Sequence, residues 1–178
     1  MLLCFTGCMQ TPPPYNPWEY KPEGISLEIQ TDTAINLYGG ESHTVKMAVY
    51  QLTDNGPFLN LTKTKEGLSQ LLEIDKFDPS VVGRDQYIVQ PNEQRKVILD
   101  RVENTRWLGI VAGYYEPENG LPPHVLKEVS LIEKRKTLIR RLFENLGLLP
   151  VKDMRRVPPT IVRLKLTSVN MYEMDTEQ

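Results

Sequence analysis

Two cysteines near the start of the chain are the residues whose chemistry is clearest from sequence. Cys4 and Cys8 both fall within the first eight residues, and Phe5-Thr6-Gly7 puts small residues directly before Cys8. This pattern is typical of a bacterial lipobox. There a signal peptidase cleaves before the cysteine, the thiol takes a diacylglyceryl group, and the freed amine takes a further acyl chain. Cys8 is therefore the predicted lipidation site.

A second interpretation of the N-terminus is also open, in which it is not a lipoprotein signal. A secretory signal has a positively charged start and an apolar core of about 7–15 residues. Only seven residues, none of them Lys or Arg, precede Cys8. Either translation starts upstream of Met1, or the N-terminus is hydrophobic and its cysteines are incidental. If the lipid is present, several acyl chains together make membrane anchoring stable.

Signatures of catalysis are sparse. His43 and His124 are the only imidazoles that could act as bases near neutral pH, and neither falls in a metal-ligand spacing. The sequence lacks a Gly-x-Ser-x-Gly elbow, a phosphate-binding Gly-Lys-Ser/Thr loop and a His-Glu-x-x-His motif. We therefore predict no enzyme activity and no catalytic, metal or cofactor site. A hydrolase would need a fold that brings a histidine to a nucleophile.

Composition narrows the class of protein further. The 178 residues are 40% hydrophobic and 25% charged, an ordinary globular mixture that is most simply one domain. The net charge of −2 argues against a dedicated nucleic-acid binder, whose surface is strongly basic. No apolar run approaches the roughly 20 residues that span a bilayer.

Proline placement divides the chain. Residues 1–8 form the predicted signal remnant, and residues 9–24 contain five of the 14 prolines. Such a stretch cannot form a helix or a central strand, so it is predicted to be an extended tether of about 50 Å. A domain over 25–170 and a frayed tail over 171–178 complete the predicted organisation.

The predicted domain is dominated by short apolar or alternating segments. Strands are expected at 25–29, 45–52, 87–90, 97–99, 107–115 and about 160–169, with helices at about 61–72 and 131–146. Gly109 and Gly113 interrupt one apolar run and indicate a bulge or a close approach of the backbone. Short strands separated by Pro and Gly turns favour a mainly β fold, a β-sandwich with small helical additions.

Charge is concentrated in one part of the chain. Residues 124–165 contain eleven basic and four acidic side chains, which gives +7 there and −9 elsewhere. Two interpretations remain open: a solvated helix face with its loops, or a basic patch for an acidic partner or anionic headgroups.

Several segments, in order behind Cys8, resemble the outer-membrane lipoproteins of type VI secretion systems, the TssJ (SciN/VasD) family. The resemblance covers roughly residues 25–116 and rests on Tyr50-Gln51-Leu52 with Phe58 and Leu71-Leu72, on Val89-Gln90-Pro91-Asn92-Glu93, and on Ile110-Val111-Ala112-Gly113-Tyr114-Tyr115. Asn92 stands where the family's turn has glycine, and Asn tolerates the left-handed backbone that glycine would supply. Tyr115 stands where an arginine is common.

The resemblance implies a transthyretin-like two-sheet β-sandwich that faces the periplasm and is lipid-anchored to the outer membrane. It also implies a role: binding the periplasmic domain of the inner-membrane protein TssM, with no cofactor, nucleic acid or small-molecule substrate. The alternative is a periplasmic lipoprotein that binds a small molecule or glycan in its sandwich.

The resemblance further assigns the partner contact to the loop between the first two strands, residues 32–42. Its central residues, Ile35, Asn36, Leu37 and Tyr38, are the predicted partner-binding residues. An exposed aromatic and aliphatic side chain on a loop suits an interface anchor. The competing interpretation is that Leu37 and Tyr38 fold back onto the sandwich.

The Cys8 assignment predicts the result of a single substitution. Cys8→Ser removes the acylated thiol, so the chain should leave the membrane fraction while its domain stays folded. Fractionation of cells, with mass spectrometry of the mature N-terminus of the unsubstituted chain, measures both parts. A Cys8→Ser chain that still sediments with membranes contradicts the assignment, and Cys4→Ser is the matched control.

Overall fold

The structure, a computed structural model, describes residues 16–131 and 158–174. The described chain contains eight strands and two short helices, namely β1 (Lys21–Thr31), β2 (Val45–Leu52), α1 (Gly56–Leu61), α2 (Lys65–Glu73), β3 (Val81–Val89), β4 (Gln94–Arg101), β5 (Trp107–Gly113), β6 (His124–Glu128), β7 (Thr160–Leu166) and β8 (Met171–Glu173). Cys8, most of the predicted tether, and nearly all of the helix predicted at 131–146 lie outside the described residues.

The strands form two four-stranded sheets that pack as a sandwich. One sheet has the order β4-β1-β7-β8, in which β1 and β7 are parallel, and the other has the order β3-β2-β5-β6, in which all pairs are antiparallel. The predicted β-sandwich is therefore confirmed. The strands at 21–31, 81–89 and 94–101 are longer than the alternating segments that predicted them. β6 and β8 were not predicted, and β8 corrects the start of the predicted frayed tail, because it pairs with β7 and Met171 is buried.

The main core lies between the two sheets. Alternate residues of the central strands point inward because strand side chains alternate between faces. The fully buried aliphatic side chains of this layer include Ile25, Leu27, Val45, Met47, Val49, Leu108, Ile110, Val162, Leu164 and Leu166. Burial of these side chains supplies the main driving force for the sandwich.

The two helices cover the outer face of the second sheet and form a smaller core there. Phe58 of α1 and Leu68 and Leu71 of α2 are fully buried against the outward residues of β2 and β5. The central strands of this sheet are consequently buried on both faces. This explains the near-continuous apolar run of β5, which alternation alone would not produce.

The helix predicted at 61–72 overlaps two helices in the structure, because its first residue ends α1 and most of the remainder is α2. Residues 56–60 of α1 were not predicted to be helical. Leu61 ends α1, and α2 begins at Lys65 with Thr64 as its N-cap, whose hydroxyl accepts a hydrogen bond from the Gly67 amide at 3.0 Å. A side chain on Gly67 would stand 2.2 Å from the Leu61 carbonyl oxygen, so the glycine permits the close helix contact. The sequence pattern did not show this break because Leu61 and the α2 leucines contribute to one apolar surface.

Gly109 in β5 marks a close approach and not a bulge. Its pairing with β2 and β6 is regular, and a Cβ atom there would lie 2.6 Å from the Phe58 ring. The ring of α1 thus rests directly on the β5 backbone. Of the two interpretations that the sequence allowed, a bulge or a close approach of the backbone, the structure shows the close approach.

The strands alternate in direction along the chain, which divides the connections into two groups. The connections after β1, β3, β5 and β7 all lie at one end of the sandwich, which we call the loop end. Residues 16–20 and the β4–β5 turn lie at the opposite end, which we call the tether end.

Among the described residues, no helix is long and apolar enough to cross a membrane.

Gly109→Ala should destabilise the domain, because the new methyl group overlaps the Phe58 ring and overpacking of a core costs about 1–3 kcal/mol. Gly56→Ala is the matched control. A Cβ there meets its nearest atom at 3.6 Å, so its free energy of unfolding should change by less than about 1 kcal/mol. Urea denaturation followed by circular dichroism compares the two. Equal stability of both variants would show that the ring moves away freely.

Candidate functional site

The loop end collects four connections that hydrogen bond to one another. They are residues 32–44, 90–93, 114–123 and 167–170. The Leu37 amide donates to the Ser168 carbonyl at 3.0 Å, and the Asn92 amide donates to the Asp32 carbonyl at 2.8 Å. Asn92 has a φ of +55°, the left-handed backbone that the resemblance implies for this turn. The loops therefore form one continuous surface.

Ile35 and Asn36 hold the first loop in place. Ile35 is fully buried in the main core, and both of its backbone polar groups hydrogen bond to the Ser42 hydroxyl at 3.0 and 2.9 Å. Asn36 is 3% exposed and has a φ of +47°. Of the four predicted partner-binding residues, these two have their side chains turned away from solvent.

The Asn36 carboxamide links two loops. Its nitrogen donates to the Thr44 carbonyl at 2.8 Å, and its oxygen accepts from the Tyr115 amide at 2.7 Å. Asparagine is one of the few residues that tolerates a left-handed backbone and also carries a donor and an acceptor. It therefore couples the first loop to the loop after β5.

Tyr38 is presented to solvent by a tight hairpin. Tyr38 and Glu41 exchange backbone hydrogen bonds of 3.0 and 3.1 Å across Gly39 and Gly40, whose φ angles are +61° and +84°. Two positive φ values are what a type I′ turn requires, and glycine adopts them without strain. The Tyr38 side chain is 54% exposed.

Three rings from two loops form what we call the aromatic cluster: Tyr38, His43 and Tyr115. The Tyr38 and Tyr115 ring centres are 5.1 Å apart, and the His43 ring lies edge-on to Tyr115 at 5.2 Å. Tyr115 is 61% exposed. Such separations fall in the range in which aromatic pairs attract each other. Tyr115 and His43 were not among the predicted partner-binding residues.

Below the aromatic cluster, Tyr114 fastens the loop to the last turn. Its hydroxyl donates to the Asn170 backbone carbonyl at 2.9 Å, and the Asn170 side-chain nitrogen donates to the Glu118 carboxylate at 2.8 Å. Burial raises the pKa of the Tyr114 hydroxyl, which keeps it a donor throughout the physiological range. The exposed Tyr115 is therefore flanked by a fixed neighbour.

An open groove of about 570 Å³ lies beside the first loop. Leu37 contributes to its wall, and Lys165 and Asp32, which form an ion pair of 2.5 Å, also line it. Small-molecule sites are usually enclosed and mostly apolar, with a few convergent polar groups. This groove is open and lined mainly by polar residues, so it gives the small-molecule alternative little support.

In the described part of the chain, neither histidine is placed beside a nucleophile or in a cluster of metal ligands. The His43 Nδ1 atom lies 3.1 Å from the Glu41 carbonyl oxygen, and His124 begins β6 opposite Val111. In residues 16–131 and 158–174 no three His, Cys, Asp or Glu side chains gather as a metal site. The chemistry that this end of the molecule offers is recognition through exposed rings.

The sequence profile of a known family supplies the identity of the chain. The profile described as type VI secretion lipoprotein (VasD, EvfM, TssJ) matches residues 23–138, which are 116 of the 178 residues. The chain belongs to the type VI secretion lipoprotein family. The resemblance stated from the sequence is thereby confirmed, and it places the chain among the membrane-associated components of these secretion systems.

Solved structures agree on the fold of this type VI secretion lipoprotein. Lip, described as a membrane-bound component of the type VI secretion system of Serratia marcescens, is 14% identical, with a TM-score of 0.58 over 86% of this chain and 98% of its own. The lipoprotein TssJ1 from Pseudomonas aeruginosa is 15% identical, with a TM-score of 0.55 over 88% and 98%. A structure described as the TssM C-terminal domain from EAEC is 17% identical, with a TM-score of 0.56 over 85% of this chain and 98% of its own. No curated protein matches the sequence.

Substitution of Asn36 should loosen the link between the loops. Asn36→Ala leaves the Tyr115 amide and the Thr44 carbonyl without partners and strains the left-handed backbone. We expect a loss of about 2–3 kcal/mol in the free energy of unfolding. Asn36→Gly removes the same hydrogen bonds without the backbone strain, so it should lose about 1 kcal/mol less.

Hydrogen exchange separates the two effects. The Tyr115 amide should exchange faster in both variants, since each lacks the acceptor oxygen. An unchanged exchange rate at Tyr115 in both would show that Asn36 does not hold this loop.

Proposed function

We propose that this lipoprotein is acylated on Cys8, is anchored in the outer membrane, and binds the periplasmic domain of the inner-membrane protein TssM through its loop end. It acts without enzymatic turnover, as a structural part of the membrane complex. The observation that carries this proposal is the separation of two surfaces: the chain enters the domain at the tether end, while the exposed rings of Tyr38 and Tyr115 lie together at the opposite end.

The incoming chain is held at the tether end by side chains from the end of β4 and from the β4–β5 turn. The Arg101 guanidinium donates to the carbonyls of Pro17 and Glu19 at 2.7 and 3.1 Å. The Arg106 guanidinium lies 5.1 Å above the Trp18 ring, a cation–π distance. Residues 16–20 therefore pack on the domain, and β1 already begins at Lys21, where the sequence predicted a tether up to residue 24.

Gln51 makes this attachment rigid. Its side-chain oxygen accepts hydrogen bonds from the Val102 amide at 2.9 Å and the Thr105 hydroxyl at 3.0 Å. Its nitrogen donates to the Asp100 carbonyl at 2.9 Å. The turn that holds the incoming chain is thus hydrogen bonded to β2, a central strand of the second sheet.

The two ends are well separated. At about 3.3 Å per residue, the 11 residues of β1 span about 35 Å. The eight residue steps from Cys8 to Asn16 reach at most about 28 Å. A lipid on Cys8 would hold the tether end near the membrane, and the loop end would then point away from it.

Several findings support TssM as the partner. The family profile is one of type VI secretion lipoproteins, and similar solved structures are described as the TssM C-terminal domain and as a type VI membrane complex. Tyr38 provides an exposed aromatic anchor on the loop that the resemblance assigns to the contact. Tethering would raise the effective concentration of the domain beside later partners.

Binding to the purified periplasmic domain of the cognate TssM tests the proposal. The Cys8→Ser chain should bind it in solution, and adding Tyr38→Ala should weaken binding by about 10- to 30-fold, the effect of an interface hot spot. Ile98→Ala is the control, because Ile98 is also exposed but lies on the outer face of the first sheet. Isothermal titration calorimetry gives the affinities. Absence of binding by the parent chain, or an equal effect of the control, refutes the proposal.

A further inference from the structure

The aromatic cluster has a geometry that suits one kind of side chain. Tyr38 and Tyr115 are inclined by 35° with their centres 5.1 Å apart, and both are more than half exposed. The His43 ring is nearly perpendicular to Tyr115, at 77°. Ring faces are electron-rich, so a group placed against them gains most if it is a cation with apolar or planar surface.

The connections around the aromatic cluster carry charge of one sign. The four connections of the loop end contain five acidic residues and not one Lys or Arg; the acidic residues are Asp32, Glu41, Glu93, Glu116 and Glu118. Lys165 and Arg95, from the adjoining strands, pair with two of these, Asp32 and Glu93. In the described ranges no ion pair with Lys or Arg joins Glu41, Glu116 or Glu118. The field at the cluster therefore attracts positive charge.

The same charge argues against other occupants. Anionic lipid headgroups and nucleic acids would be repelled. A second copy of this chain that docked through its own loop end would bring an identical acidic surface against the first, which is also unfavourable. A basic segment is the complementary partner, and in the proposed function that segment belongs to TssM.

We infer that the aromatic cluster receives an arginine or lysine side chain of the protein partner, with the cation against the rings of Tyr38 and Tyr115 and the nearby carboxylates around it. This inference rests on the proposed function, in which the loop end binds TssM. It adds the chemistry of the contact: the partner contributes the cation, and Tyr115, from the second loop, contributes as much as Tyr38. The Asn36 link joins the backbones of the two loops that carry these rings before the partner arrives, which limits the entropy lost on binding.

The first experiment measures binding of the purified TssM periplasmic domain to the Cys8→Ser chain and to three Tyr115 variants. Tyr115→Phe keeps the ring and should bind within about threefold of the parent. Tyr115→Leu keeps apolar volume but loses the ring face, and should weaken binding by about 5- to 30-fold. Tyr115→Arg should weaken it at least as much, because it opposes the incoming cation. Affinity should also fall as NaCl rises from 50 to 300 mM.

Tyr20→Leu is the matched control for the removal of an exposed tyrosine ring. Tyr20 is 56% exposed at the tether end, and its substitution should leave binding unchanged. Thermal unfolding confirms that each variant is folded. Unchanged binding by Tyr115→Leu, or tighter binding by Tyr115→Arg, would overturn the inference while leaving the proposed function intact.

A second experiment tests the inference without TssM. Short blocked peptides of Gly-Arg-Gly, Gly-Glu-Gly and Gly-norleucine-Gly are titrated into the chain while the tyrosine ring signals are followed by NMR. The arginine peptide alone should shift the signals of Tyr38 and Tyr115, at millimolar concentration. Equal shifts with the norleucine peptide, or none with arginine, reject the cation site. Failure of the parent chain to bind TssM in the first experiment rejects the proposed function instead.

Discussion

The alternation of strand direction is the constraint on which the rest of this molecule depends. Each strand runs opposite to the one before it, so every connection from an odd to an even strand falls at the loop end. The entering chain and the β4–β5 turn are forced to the other end. A single topological rule thus separates the proposed membrane attachment from the proposed partner surface by about the length of β1, about 35 Å. A tethered adaptor benefits from this separation because membrane and partner do not compete for one surface.

Rigidity at both ends comes from single polar side chains that bridge backbone segments. Asn36 joins the first loop to the loop after β5, and Gln51 joins the second sheet to the turn that holds the incoming chain. Each is buried, and each makes at least two hydrogen bonds to the backbone, as buried amides must if they are not to destabilise the fold. Loops fixed in this way lose little conformational entropy when a partner binds. The same bonds that stabilise the sandwich therefore hold the two surfaces for which we propose a function.

Acidic and basic side chains are also divided between the two ends of the sandwich. The loop-end connections carry acidic side chains without Lys or Arg. Residues 132–157, which contain eight basic and three acidic side chains, are joined to the domain at the tether end, where β6 ends and β7 begins. Attachment of the basic segment at this end is consistent with either of its two interpretations. At the loop end the acidic side chains lie around the exposed rings of the aromatic cluster, so the charge there favours a cationic partner group.

The sequence by itself determined the sandwich class, most strand positions, the turn at Asn92 and the family, because these depend on local alternation, turn chemistry and ordered segments. It did not separate α1 from α2, since the break depends on how Gly67 approaches Leu61. It also proposed Ile35, Asn36, Leu37 and Tyr38 as equal members of one surface. Only the tertiary structure decided that Ile35 and Asn36 are buried supports and that Tyr38 stands beside Tyr115, 77 positions later in the chain. Exposure and long-range neighbours are properties of the packed sheets and loops, and a linear pattern contains neither.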